Sequence, residues 1–315
     1  TRRKAAKSGK GAQGGGGGVG SGGILVTGPG IRGRAPAGAS VITIDRKAIE
    51  RSGYATTEQL LRALPQNFGG GPNETAAQTG RSNADFNMSY GSAVNLRGLG
   101  PSSTLVLLNG ERPPMSGLAG VFADLSMVPL TAIERIEVLP DGASALYGSV
   151  DVTDVPAGVV NIVPRTRFEG LQTTGRLGLA NGFHEAQLGA VVGTRWSSGH
   201  FVLAYEFYRR SPLRAADRPF VSEDLRRYGL GDFRSAPGLP GTIPAGGRVF
   251  GIPAGQDGTA LTPADLTAGT RNRGDRRAAS DLLPRQRVHS LYLAGELDLT
   301  SSLTLRTSIL AAQRD

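Results

Sequence analysis

Cysteine is absent from the 315 residues, which excludes disulfide scaffolds, thiolate zinc sites and cysteine nucleophiles. Aromatic residues are scarce, at 6%. No apolar run approaches the roughly 20 residues that a membrane-spanning helix needs. A signal-peptide pattern is missing too, because the basic start leads into glycines and not into an apolar stretch. If the protein is exported, the chain begins after its signal. The three histidines, His184, His200 and His289, have no metal-ligand spacing. Gly142-Ala143-Ser144-Ala145-Leu146 opens like a nucleophile elbow but carries Leu146 where glycine is required, and no phosphate-binding glycine-lysine loop occurs. These absences argue against an enzyme, and no cofactor or metal site is expected.

What is abundant is glycine, with 47 residues against the roughly 7% typical of proteins. That content suits turns, bulges and extended chain. The net charge of +9 owes five charges to Arg2, Arg3, Lys4, Lys7 and Lys10. The other arginines are scattered among acids without an aromatic-interleaved basic stripe, so nucleic acid is not an expected partner. Residues 1–23, with the run Gly14 to Gly18, read as a flexible basic arm.

Order is expected to begin at Ile24-Leu25-Val26-Thr27. A strand at Ser40–Ile44 leads into Asp45 as the N-cap of a helical turn through Ile49. Thr56 with Gln59 three residues on resembles a capping box for a helix that Pro65 stops. The polar stretch from Gly69 to Tyr90 reads as a long loop. Strands are expected at Val94–Gly98, at Thr104–Leu108 (closed by the turn Asn109-Gly110), at Arg135–Leu139 after a helical turn at Pro129–Ile133, and at Gly158–Val163. A second loop spans Arg112 to Gly120. Residues 24–165 thus make an α+β domain.

Past residue 170 the pattern turns to period two. Phe201, Leu203, Tyr205 and Phe207 share one face, opposite Ala204, Glu206 and Tyr208. Leu291, Leu293, Leu297 and Leu299 oppose Tyr292, Glu296 and Asp298, and Leu303, Leu305, Thr307 and Ile309 oppose Thr304, Arg306 and Ser308. Strands of about 10 residues with one apolar face are the signature of outer-membrane barrels. The links at Ser197–His200 and Thr300–Ser302 are tight, whereas the link over 211–286 is very long. Alternating short periplasmic turns and long extracellular loops would produce that parity. The fold class expected is therefore an α+β domain followed, over 166–315, by about five antiparallel strands of an incomplete transmembrane β-barrel.

Several blocks then resemble a known family in the order that family has them. They are Val94-Asn95-Leu96-Arg97-Gly98-Leu99-Gly100, Thr104 to Arg112, Ile133 to Leu139, Gly142-Ala143-Ser144-Ala145-Leu146-Tyr147-Gly148-Ser149, and Ala157-Gly158-Val159-Val160-Asn161-Ile162. Together they resemble the plug domain of TonB-dependent outer-membrane receptors. The resemblance implies a plug seated in a barrel of about 22 strands. It also implies energy-coupled uptake of a scarce ligand and TonB of the inner-membrane energising complex as partner, beside outer-membrane lipid. Ferric siderophores, vitamin B12, haem, oligosaccharides and nickel chelates are all family ligands. Ile24, Leu25, Val26 and Thr27 resemble the TonB box, and read equally as a first plug strand. The resemblance makes Arg97 and Arg135 plug–barrel contact candidates facing acids in strands outside this chain. It makes Arg81, Asn83, Asp85, Asn87, Tyr90, Met115 and Phe122 ligand-contact candidates.

Two departures fall in one hairpin: Val150 to Pro156 intervenes after Tyr147-Gly148-Ser149, and Pro140-Asp141-Gly142 replaces a basic Arg-Gly-Pro. About five strands cannot close a barrel, since natural barrels start at about 8. The chain thus reads as a fragment or a truncated, non-functional receptor. A ligand-sensing signal transducer of the same architecture is the alternative role.

Overall fold

Asp45 ends a strand and starts a helix, as its short carboxylate allows. Its Oδ1 accepts the Ala48 N–H at 2.8 Å, capping helix α1 (Arg46–Ser52), which stops at Gly53 with φ 78°. We describe a computed structural model covering residues 25–27, 31–33, 41–75, 87, 89–117, 120–140, 158–234, 236–256, 259–278 and 280–315. Helix α2 (Thr57–Arg62) is capped by Thr56, whose hydroxyl accepts from the Gln59 N–H at 3.2 Å. The expected capping box differs in one bond. Gln59 Oε1 accepts from Ala55 N at 2.8 Å, one residue before the cap, because the longer side chain reaches past Thr56.

The N-terminal domain is built on a four-stranded sheet of β3 (Ile42–Asp45), β4 (Thr104–Leu108), β7 (Ile133–Leu139) and β8 (Gly158–Pro164), in the order β3-β7-β8-β4. Only β4 and β8 run parallel. Strand β8 is buried along its whole length, consistent with its near-continuous β-branched sequence. Ile133, Ile136, Val138, Val160 and Ile162 pack with Ile49, Leu60, Leu61, Val94 and Leu96 into the main core. The Asn109-Gly110 turn has φ of 54° and 84°, which only the primed turn types require. Buried Asn161 ties it down, accepting from Gly110 N at 3.0 Å.

Three expectations for this domain are corrected. Val94–Gly98 is not a strand: Leu96 makes an isolated bridge with Asn67, and Arg97 (φ 62°) and Gly98 (φ 71°) turn the chain away. The loop 112–120 contains Met115–Ser116 (β5), which pairs with Phe122–Ala123 (β6). Leu25–Thr27 (β1) pairs with Ile31–Gly33 (β2) in a separate two-stranded hairpin and does not join the domain's sheet. The arm 1–23, the elbow-like Ser144 segment and the hairpin with the two departures lie outside the described residues.

The second unit is a five-stranded antiparallel sheet with sequential neighbours: β9 (Gly170–Ala180), β10 (Phe183–Trp196), β11 (Gly199–Arg210), β19 (Gln286–Asp298) and β20 (Thr304–Arg314). The two-residue turn after Trp196 and the short link after Asp298 lie at one end. The long link lies at the other, and folds on itself through β12 (Leu213–Arg214), β13 (Ala236–Pro237), β14 (Thr242–Ala245), β15 (Arg248–Gly251), β16 (Thr267–Ala268), β17 (Arg273–Gly274) and β18 (Asp281–Leu283). On β11 and β19 the period-two reading assigns the faces correctly: Ala204, Glu206, Tyr208 and Tyr292 are buried toward the N-terminal domain and Phe201 and Tyr205 are exposed on the other face, as Leu177 and Leu188 of β9 and β10 are, whereas on β20 residues 304–309 are exposed on both faces. Trp196 and Phe201 stack near the short-turn end, 6.4 Å between centroids. Phe207 and His289 stack toward the long-link end, 4.9 Å apart. Such a spacing fits the aromatic girdles that flank a lipid-facing band.

Candidate functional site

The inner face of the strand wall carries small residues where the domain approaches and polar ones where it is gripped. At Gly189 an added Cβ would lie 2.6 Å from Thr131 Oγ1, so glycine is what lets the 3₁₀ turn Leu130–Ala132 sit against the wall. Buried Glu206 then gathers that turn. Its carboxylate accepts the Leu130 and Thr131 N–H groups at 3.1 and 3.0 Å, the Thr131 hydroxyl, and Gln187 Nε2 at 2.8 Å. Four donors on one carboxylate satisfy it without a cation.

Toward the long-link end the contacts become ionic. Arg210, at the end of β11, meets Glu74 at 2.7 Å with both side chains at least nine-tenths buried. Arg314, at the end of β20, meets Asp124 at 2.9 Å and also donates to Ser126 Oγ and the Ser89 carbonyl. Glu185 Oε2 accepts from Gln59 Nε2 at 3.2 Å and from Tyr208 OH at 2.9 Å. Glu58 lies in the same region, paired with Arg62. Burial, reinforced by the Glu74 carboxylate and only partly offset by Arg62 and Arg210, pushes the Glu58 pKa up to about 7.

The residues singled out from sequence are dispersed. Arg135 Nε bonds Glu137 Oε1 on its own strand at 2.8 Å. Arg97 is exposed, with Nη1 donating to the Pro140 carbonyl at 3.3 Å. Among the described domain–wall ion pairs the arginines sit on the wall and the acids on the domain, the reverse of the polarity expected for Arg97 and Arg135. Asn87 and Phe122 are not surface contacts. Asn87 is fully buried and staples Asn73 O and the Gly91 backbone at 2.7–2.9 Å, and Phe122 is 2% exposed. Short polar and aromatic loop residues look alike in sequence whether they brace a loop from inside or face out. Tyr90 and Met115 are exposed. Ile24, Arg81, Asn83 and Asp85 lie outside the described residues.

Sequence reading passed over Glu74, Glu206 and Arg210. Glu206 had a signal, an acid on the non-lipid face of a period-two strand. The long link also forms an open pocket of about 540 Å³, lined by Asp232, Phe233, Arg234, Arg271, Asn272 and Arg273 among others. Arg234 is held by Asp232 at 2.9 Å and Asp224 at 3.5 Å. The hydrogen bond from Arg226 holds Asp224 down at about 2.

Residues 34–153 match the family model described as the TonB-dependent Receptor Plug Domain. Over 140 residues, 43% of this chain and 22% of the other, the sequence is 34% identical to the vitamin B12 transporter of Photobacterium profundum. The ferric enterobactin receptor of Pseudomonas aeruginosa, in a mutant form, superimposes with a TM-score of 0.52 at 16% identity, over 87% of this chain and 32% of that one. At that identity the likeness concerns fold alone. The segment 34–153 is thus similar to the plug domain of TonB-dependent receptors, a family of outer-membrane proteins, and the strands that follow share the fold of part of such a receptor's barrel. The chain spans between about a fifth and a third of the length of these two relatives.

Proposed function

We propose that the chain is the N-terminal part of a receptor for TonB-dependent uptake of a scarce metal chelate, a ferric siderophore or a corrinoid, across the outer membrane. The observation that carries this reading is the seating of a matched plug domain on a wall whose long link lies at the gripped end. Plug segments 72–75, 89–92 and 124–126 approach the ends of β11 and β20 at that end, and Tyr90 and Met115 are the exposed candidates for ligand contact there. In the long-link pocket Arg271 and Arg273 lie beside the Asp232–Arg234 ion pair, and these two arginines suit an anionic group of a chelate arriving from outside. Near the start of the described residues, Leu25–Thr27 forms a strand with a partner on one side, so a further strand from TonB can add to its other edge. Arg97 and Arg135 remain our candidates for meeting acids of wall strands beyond these five.

The test uses the receptor gene in a host lacking its own uptake systems, with panels of radiolabelled ferric siderophores and corrinoids, with and without functional TonB. Uptake of one class that disappears without TonB supports the proposal. Replacing Val26 by proline, which removes a backbone donor from the strand, is expected to abolish uptake while leaving ligand binding intact. Uptake independent of TonB would overturn the reading.

A further inference from the structure

The Arg210 guanidinium makes three hydrogen bonds to two separate parts of the chain. Arg210 is the last residue of β11 and thus one root of the long link. Its Nε donates to the carbonyl of Pro284, at the link's other root, at 3.0 Å. Its Nη1 pairs with Glu74 Oε2 at 2.7 Å and its Nη2 donates to the Glu74 carbonyl at 3.2 Å, both on the plug. Arg210 is 6% exposed and Glu74 is 2% exposed. Each neighbour extends the reach of this fork. Just beyond the two roots, Leu213 pairs with Leu283 and Arg214 with Asp281, and Ser211 exchanges bonds with His184 of β10 at 2.9 Å. On the plug side, the Asn73 carbonyl accepts from Asn87, which holds Gly91.

We propose that Arg210 is a coupling residue: through it, the seating of plug segment 72–75 and the closure of the long link's two roots form one cooperative unit. A guanidinium is planar and donates in a fixed fork, so its three bonds are geometrically linked. If Glu74 leaves, a buried cation keeps only the Pro284 carbonyl and must turn toward water, which breaks the root contact as well. Movement of the link at the outer end would therefore loosen the plug, and movement of the plug would loosen the link. This deepens the uptake reading by assigning its internal coupling, and the test reads backbone protection instead of transport, so either can fail alone.

The experiment is hydrogen exchange measured by mass spectrometry on the receptor in outer-membrane preparations. It compares wild type with Glu74→Gln, Arg210→Lys, Arg210→Met and the swap Glu74→Arg with Arg210→Glu. Glu74 makes no hydrogen bond with Pro284 among the described residues, so the decisive peptides for Glu74→Gln are the link roots at 211–215 and 280–286. Exchange there is expected to rise about tenfold, together with that of 72–75 and 89–92, with Arg210→Lys giving a smaller rise in both and the swap restoring part of the protection. Glu74→Gln raising exchange in the plug segment alone would overturn the proposal, as would Arg210→Lys loosening one region without the other. If Arg210→Met fails to assemble, the Glu74→Gln and Arg210→Lys results decide the matter.

Discussion

Carboxylates at the plug–barrel interface divide into two kinds by what surrounds them. Glu206 is buried but accepts from four donors, so removing it would strand three plug donors, two of them backbone N–H groups, and the Gln187 amide. Each buried donor left unsatisfied costs about 1–3 kcal/mol. Glu58 is equally hidden but has a single ion-pair partner and an acidic neighbour, so its neutral form is favoured in the fold. Its pKa rises from 4.5 to about 7 on folding, so the native state holds a proton that the unfolded state has lost between those values. Stability is then fully present below about pH 4.5 and declines as pH rises through 7, by on the order of 3 kcal/mol from this group. Glu58→Gln should flatten that slope, measured as the pH dependence of amide protection in α2. A variant with the wild-type slope would refute this assignment.

At the scale of elements, the contact between the Leu130–Ala132 turn and β10 depends on glycine. A Cβ at position 189 would meet Thr131 and Thr174 side-chain atoms at 2.6–2.7 Å, whereas one at Gly175 would meet only Leu188 Cδ2 at 3.6 Å. Gly189→Val is therefore expected to lift the turn off the wall at a cost of about 1–3 kcal/mol, exposing 130–132 to exchange. Gly175→Ala should leave protection there unchanged. Equal behaviour of the two would show that the close approach does not matter. The strand lengths and their alternation were legible beforehand because one face must meet lipid and the other a polar plug. The Val94–Gly98 segment was misread because a short β-prone run carries no information about the positive φ that follows it.

For the molecule as a whole, the five-stranded sheet ends in β9 and β20, whose outer edges have no strand partner among the described residues. Open backbone edges are costly in hydrocarbon, where no water can satisfy them. Refolded alone into lipid vesicles, the 315-residue chain is expected to give no protease-protected barrel and to aggregate through its edges. Protection of 170–314 from protease would require edge closure by some other route, such as association of copies. The wall and plug meet through apolar patches as well as polar contacts. Apolar packing between them forms small patches, Ala132 with Val191, Val202, Ala204 and Tyr292, Ala55 with Tyr208 and Val288, and Leu310 against the main core, and polar contacts lie between them. An interface held this way can be released without exposing a large apolar core.

The sequence by itself determined the order of parts: an α+β domain with its caps, its Asn-Gly turn and its strands at 104–108, 135–139 and 158–163, then amphipathic strands whose apolar face could be named over 201–207 and 291–297. Those features depend on neighbours two to four positions away, which local sequence records. Which polar residues carry the interface was decided only by the tertiary structure. Glu74 and Arg210 are 136 positions apart, and Thr131 and Glu206 are 75 apart. Nothing in the local pattern of either partner distinguishes a buried, charge-paired side chain from a solvated one, because the distinction depends on a surface that the other domain supplies.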